Sequence, residues 1–295
     1  MGGVDGRGSD VTTVGVIGLG DIGGGAATSI AAAGLDLWVC DVREEATARF
    51  ADAASIAANP AALAAACDIV LVAVVNDAQV RTVVAGPDGV LAGARAGSVV
   101  VVASTISPDT VAEVAAAARA VGVGLIDCGV SGGPSAAAIG DLICMVGGDE
   151  ADIDRARPAL DAIGSLVVPM GPLGAGLVAK LARNVIQYGS WLAAYEGQRI
   201  CEAAGIELAK LAEVVRASDA RIGGPSTLMF RSTVAPFGPD DHEGLVAHMR
   251  SAAALAHKDL EAAIAAAATL GVDLPGATLT ERHADAIFGV GEVAR

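Results

Sequence analysis

Two groups of residues in this chain have the types and spacing for chemistry. The first is Gly18-Leu19-Gly20-Asp21-Ile22-Gly23, which directly follows the apolar run Val14–Ile17 and opens a stretch of small residues. Glycines at this spacing between a strand and a helix fit a dinucleotide: Gly18 for the tight turn, Gly20 for close approach of a pyrophosphate, Gly23 for helix packing. The helix start would face the phosphates with its free N–H groups. Asp41 ends the next apolar run about 20 residues on, where a carboxylate takes hydrogen bonds from the adenosine ribose and repels a 2′-phosphate. NAD is therefore favoured over NADP, although Arg43 weakens that preference; the remaining reading is an ordinary glycine-rich turn. The second group is Lys180 and Asn184, four residues apart and so on one face of a helix. An amine and an amide there can serve a reaction, or be a solvated lysine and a surface amide.

The elements that would carry these groups change character at Gly171–Asn184. Before it, strand, glycine turn and helix alternate. Strands are expected at Val14–Ile17, Leu37–Cys40, 69–74, 98–103, 123–127 and 142–147, with a last short one near 165–168. Helices are expected from Gly23 to about Ala33 and over 44–54, 108–120 and 150–162. Ser107-Pro108 supplies an N-cap followed by proline in the first turn. This alternation implies a mostly parallel sheet wound on both faces, a Rossmann-type α/β domain. After residue 174 the pattern is helical only, at about 174–202, 207–217, 242–270 and 276–287, with a proline-bearing loop over a site at 220–241. The expected organisation is a loose tail at 1–10, a nucleotide-binding domain at 11–170 and an all-α domain at 171–295 for substrate binding and dimerisation.

Composition narrows the partners. The chain has 295 residues, 19 Lys and Arg against 34 Asp and Glu, and a net charge of −15, which speaks against nucleic acid and anionic membranes as partners. Its residues are 53% hydrophobic but only 3% aromatic, so the core is to be built from Ala, Val, Leu and Ile. Cys40, Cys67, Cys128, Cys144 and Cys201 form no C-x-x-C pair, which suits reduced thiols and a cytoplasmic protein. The start lacks an apolar signal segment, and prolines and glycines interrupt the uncharged stretch Ala162–Ala179, so no membrane span is expected. No Cys/His group has zinc spacing, and no metal is expected. His242, His248, His257 and His283 all fall in the helical half and read as surface or packing residues, with His248 or His257 a minor candidate as proton carrier. Neither Tyr188 nor Tyr195 is followed four residues later by lysine, so the dyad of short-chain dehydrogenases is missing.

Taken together and in order, GLGDIG at 18–23, STISP at 104–108, DCGVSGG at 127–133, MVGGDE at 145–150, GAGLVAKLARN at 174–184 and HKDLEAA at 257–263 resemble the β-hydroxyacid dehydrogenase family, which includes 3-hydroxyisobutyrate dehydrogenases. The resemblance runs from about Val11 to Ile287. It implies hydride transfer between NAD and a small β-hydroxy acid, 3-hydroxyisobutyrate-like, or its semialdehyde. By the same resemblance Lys180 is the catalytic lysine, Asn184 positions substrate, and Ser131, Gly132 and Gly133 cradle its carboxylate. Val74, Val75, Gln79 and Thr105 would line the nicotinamide half of the cofactor, and Lys258 would contact the cofactor from the helical domain.

The sequence departs from that family in three places. Gly129 replaces a usual proline and is expected to loosen the cradle loop. Val102 stands where Asp is common. Arg183 replaces an Asn, and either favours a second anionic group on the substrate or faces solvent. An aldehyde or imine reductase, which Lys180 disfavours, and a non-catalytic dinucleotide-binding protein are the alternatives. Long alanine-rich helices with apolar stripes imply a homodimer or homotetramer.

Overall fold

The computed structural model describes residues 12–292; the expected tail at 1–10 lies outside them. The chain divides into two compact units at Arg183/Asn184, a division that falls inside helix Ala175–Ala203.

The first unit is built on one eight-stranded sheet. Its strands are β1 Thr13–Ile17, β2 Asp36–Cys40, β3 Ser55–Ile56, β4 Ile69–Val72, β5 Val99–Val102, β6 Gly124–Ser131, β7 Leu142–Gly147 and β8 Gly164–Gly171. They lie in the order β3-β2-β1-β4-β5-β6-β7-β8. All neighbours are parallel except β6 and β7. The order turns back between β1 and β4, and ligands of such sheets bind at that point, beyond the strand C-termini.

β4 (IVLV) and β5 (VVVV) are buried at every residue because helices cover both faces. One face packs Val14, Val16, Ile69, Leu71, Val99 and Val101 against Ala26, Ile30, Ile153 and Leu160. The other packs Ile17, Val70, Val72, Val100 and Val102 against Leu63, Val80, Val84, Val111 and Val114. This is the doubly wound, mostly parallel Rossmann-type architecture expected from the alternation.

Several boundaries differ from the expectation. The helix at 44–54 ends at Ala48. Beyond it Phe50 is buried and Arg49 Nη2 donates to Leu19 O at 2.9 Å, so tertiary contacts draw the chain into turns toward β3. Helices Pro60–Ala66, Asp77–Ala85, Val90–Gly93 and Gly133–Ala138 were not anticipated, although Asn59 and Asn76 cap the first two through their side chains. The last strand is eight residues long.

The second unit is helical: the remainder of Ala175–Ala203, then Leu208–Ile222, a 3₁₀ turn at Pro225–Leu228, Glu243–Thr269, Pro275–Arg282 and Ala284–Ile287. Glu196 is buried and accepts from Gly276 N at 2.7 Å and Ala277 N at 2.8 Å. It thereby satisfies free N–H groups at the start of Pro275–Arg282. Among the described residues no helix is long and apolar enough to cross a membrane.

Candidate active site

The glycine loop starts where β1 ends. Gly18 has φ +86°, a conformation that favours glycine, and its N–H donates to Cys40 O at 3.0 Å. A side chain at Gly23 would run into Gly18 O, so Gly23 lets helix Asp21–Ala32 pack onto the loop. At Gly20 an added Cβ would meet nothing within 4 Å. The fold makes no use of glycine there, which leaves the space above Gly20 and Asp21 for a ligand at the helix N-terminus. Leu19, Gly20 and Asp21 line a cavity of about 530 Å³ together with Arg43, Arg49 and Pro134. Ile22 packs its partly buried side chain on the core beneath.

Asp41 meets a geometry that the sequence does not disclose. Its Oδ2 accepts Leu19 N–H at 2.6 Å and Arg43 Nη2 at 3.1 Å, while Oδ1 accepts Arg43 N at 2.9 Å and Nε at 3.1 Å. Burial pushes this carboxyl up, but the Arg43 guanidinium and the two backbone N–H groups outweigh it and hold the group below its ordinary value. The Asp41 side chain is 6% exposed and that of Arg43 51%, so the guanidinium is the group presented outward.

The loops after β4 and β5 are tied together. Val74 N donates to Ser104 Oγ at 2.9 Å, and Val75 N to Gln79 Oε1 at 2.9 Å. Asp77 Oδ1 accepts Ser107 N at 3.0 Å, Ser107 Oγ at 2.6 Å and Thr110 Oγ1 at 2.5 Å. These bonds hold the Asp77 carboxyl well below the ordinary carboxylate range. Val75, Gln79 and Thr105 are exposed beside this clasp, and Val74 is half-buried next to Gly18. The sequence shows Ser107 only as a helix cap and Ser104 only within a motif; Asp77, the partner 30 residues away, carries no local signal.

On β6, Asp127, Gly129 and Ser131 alternate with the buried Cys128 and Val130 and so share one face. Asp127 is 1% exposed and accepts Gly174 N–H at 2.5 Å and Leu177 N–H at 2.6 Å. Burial pushes its carboxyl up against the pull of these N–H groups. A Cβ at Gly129 would lie 2.5 Å from Lys180 Cβ and 2.7 Å from Gly176 O. Gly129 thus belongs to a strand against which the lysine stem lies, and not to a loosened loop. Ser131 follows two residues on, at the C-terminal end of the strand.

Gly132 (φ +128°) and Gly133 (φ +74°) then turn the chain into helix Gly133–Ala138. Successive N–H groups in such a turn form an anion-binding concavity. Burial, and after it the charge of Arg183, lower the Lys180 amine from its ordinary value.

In the first unit, then, the glycine loop, Asp41, the loops after β4 and β5, the Ser131–Gly133 turn and Lys180 gather around the C-terminal ends of β1, β2, β4, β5 and β6. Asn184 and Lys258 belong to the second unit. Lys258 Nζ lies 3.1 Å from Asp259 Oδ1 on an exposed helix surface, beside His257, whose ring bridges Glu281 at 2.8 Å and Asp285 at 3.3 Å. His257 is thus a packing clasp. Among the described residues no cluster of His, Cys, Asp and Glu could hold a metal ion.

Residues 13–171 match the family described as the NAD binding domain of 6-phosphogluconate dehydrogenase. Residues 174–289 match the family described as NAD-binding of NADP-dependent 3-hydroxyisobutyrate dehydrogenase. An uncharacterised oxidoreductase of Mycobacterium tuberculosis is 38% identical over 278 residues, covering 94% of this chain and 93% of that protein. The NAD-dependent L-serine dehydrogenase of Pseudomonas aeruginosa is 36% identical over 203 residues, 68% of each chain. The crystal structure of an oxidoreductase from Mycobacterium avium 104 superimposes with a TM-score of 0.86 at 38% identity, covering 95% of this chain and 99% of that one.

Proposed function

Since this chain belongs to the 3-hydroxyisobutyrate dehydrogenase family of β-hydroxyacid dehydrogenases, we propose that it moves a hydride between a pyridine nucleotide and a small β-hydroxy acid or its semialdehyde. The observation that carries this reading is the seating of Lys180 against Gly129, on the strand face that ends in Ser131. An amine and an anion cradle at that spacing suit a substrate with a carboxylate and a nearby hydroxyl or carbonyl.

The bound nucleotide supplies or accepts the hydride at its nicotinamide C4. Around it the chain's own groups divide the work. Free N–H groups at the start of Asp21–Ala32 receive the pyrophosphate above Gly20. Val74, Val75 and Thr105, on loops held by Ser104 and Asp77, and Gln79, in helix Asp77–Ala85, would border the nicotinamide half. N–H groups at Gly132 and Gly133, with the Ser131 hydroxyl, hold the substrate carboxylate. In the oxidative direction Lys180 Nζ, as neutral amine, takes the hydroxyl proton while the carbinol hydride leaves. In reverse, the ammonium returns a proton to the carbonyl oxygen. Partial burial and Arg183 enlarge the neutral fraction of the amine at neutral pH, which favours the base role. A carboxylate in the cradle pulls the other way.

NAD is the preferred nucleotide in this reading, not because Asp41 meets the ribose, since its oxygens are taken by Leu19 and Arg43, but because the Asp41 carboxylate engages the Arg43 guanidinium that a 2′-phosphate would seek. In this reading residues 11–170 are the nucleotide domain and 171–295 the helical domain, Asn184 is a substrate residue and Lys258 a cofactor contact, and the protein is a cytoplasmic homodimer or homotetramer. Turnover of C3–C5 β-hydroxy acids and of a cyclic imine, each with NAD and NADP, tests the substrate class. Lys180→Ala is expected to lose at least ~10²-fold in turnover with nucleotide binding retained. Parental turnover by that variant would sink the mechanism.

A further inference from the structure

Lys180 is on a long helix, and the amine of a lysine can sweep a wide volume unless its stem is held. The helix start is fixed from beneath. Asp127 accepts the N–H groups of Gly174 and Leu177, donors that a helix leaves free at its N-terminus. Gly147 and Gly176 complete the seat. A Cβ at Gly147 would meet Ala175 N and Gly176 N at 2.8 Å, and one at Gly176 would lie 2.9 Å from Gly147 N and Asp127 Oδ2. One turn further along, the stem of Lys180 lies on the bare backbone of Gly129. Residues 127, 129 and 131 follow at two-residue steps of about 6.6 Å along one face of β6. Helix cap, lysine seat and anion-cradle hydroxyl are therefore written in register on a single strand.

We propose that Asp127 and Gly129 are positioning residues, which set the place of the Lys180 amine relative to a substrate anion held at Ser131. This rests on the reading of Lys180 as the acid–base group. Asp127 fixes the axial position of the helix, and Gly129 sets how closely the lysine stem approaches the strand. A methyl at 129 must push the helix or the lysine away, since its neighbours are the lysine Cβ and a carbonyl of the helix whose start Asp127 holds. Neither residue touches substrate.

The test is a pair of double-mutant cycles: Asp127→Asn and Gly129→Ala, each alone and combined with Lys180→Ala, with kcat, KM for the hydroxy acid, nucleotide Kd and melting temperature measured for all. A displacement of about 1 Å at a reacting group is worth up to about 10²-fold. Each single variant is thus expected to lose tenfold or more in kcat, with substrate KM and nucleotide Kd within about twofold of the parent. In the Lys180→Ala background the same substitutions are expected to cost nothing further, since coupled residues are non-additive. Equal losses in both backgrounds, or parental kcat in the single variants, would overturn the proposal. A variant that does not fold assigns its residue to holding the fold and removes it from the proposal. Failure of Lys180→Ala alone to slow turnover would instead sink the acid–base reading, so the two failures are distinguishable.

Discussion

Gly20 and Gly23 lie three residues apart in the same motif, yet the structure makes opposite demands on them. Gly20 has φ −72° and ψ −159°, open to any residue, and an added Cβ finds no heavy atom within 4 Å. For Gly20→Ala the lower unfolded-state entropy and the poorer N-cap roughly cancel, so stability should stay within about 1 kcal/mol of the parent. If a pyrophosphate approaches this backbone closely, the methyl lies between them. The loss of one hydrogen bond to a charged group is worth about 1.5–3 kcal/mol, or roughly tenfold to a hundredfold in Kd. Gly23→Ala drives its methyl into Gly18 O. Overpacking of that kind costs about 1–3 kcal/mol, a melting temperature lower by at least a few degrees, and it moves the glycine loop as well. Calorimetric titration of both variants with NADH and NADPH, beside their thermal unfolding, separates the cases. Gly20→Ala should melt like the parent and bind weakly, whereas Gly23→Ala should lose both. Parental affinity in Gly20→Ala would refute the placement of the pyrophosphate at this helix start.

Three further outcomes follow from the electrostatics. Arg183→Gln removes a positive charge that holds the Lys180 amine down. The rise of oxidative kcat/KM with pH should then move to higher pH, and an unmoved profile would mean that Lys180 is not the titrating base. Asp41→Asn frees Arg43 from its ion pair and should raise kcat/KM for NADP relative to NAD; an unchanged ratio would remove Asp41 and Arg43 as the determinants. The His257 imidazole is held above its ordinary value by its hydrogen bonds to Glu281 and then Asp285. Its contribution to stability is complete below the ordinary imidazole value and fades as pH rises through the raised one. The melting-temperature gap between the parent and His257→Gln should therefore be wider at pH 6 than at pH 9, and a gap independent of pH would contradict the charged clasp.

Local pattern alone made much of the nucleotide half legible. Gly18, Gly20 and Gly23 sit between an apolar strand and a small-residue helix, and the backbone of a βαβ turn needs only that short stretch to declare itself. The shift from alternating strands and helices to helices alone was legible for the same reason, because each element's periodicity lies within its own residues. Lys180 and Asn184 could be placed on a helix, but nothing local said what that helix rests on. Only the tertiary structure decided that Asp127 caps it across 50 residues of sequence, that Gly129 is strand and seats the lysine, and that Asp77 ties loops 30 residues apart. It also decided that Asp41 is occupied by Leu19 and Arg43, and that the helix from Glu44 stops at Ala48 once Arg49 and Phe50 are drawn inward. Periodicity and turn chemistry are properties of neighbours along the chain, whereas a cap, a close approach or a neutralised carboxylate needs a partner that only folding brings within hydrogen-bond or van der Waals distance.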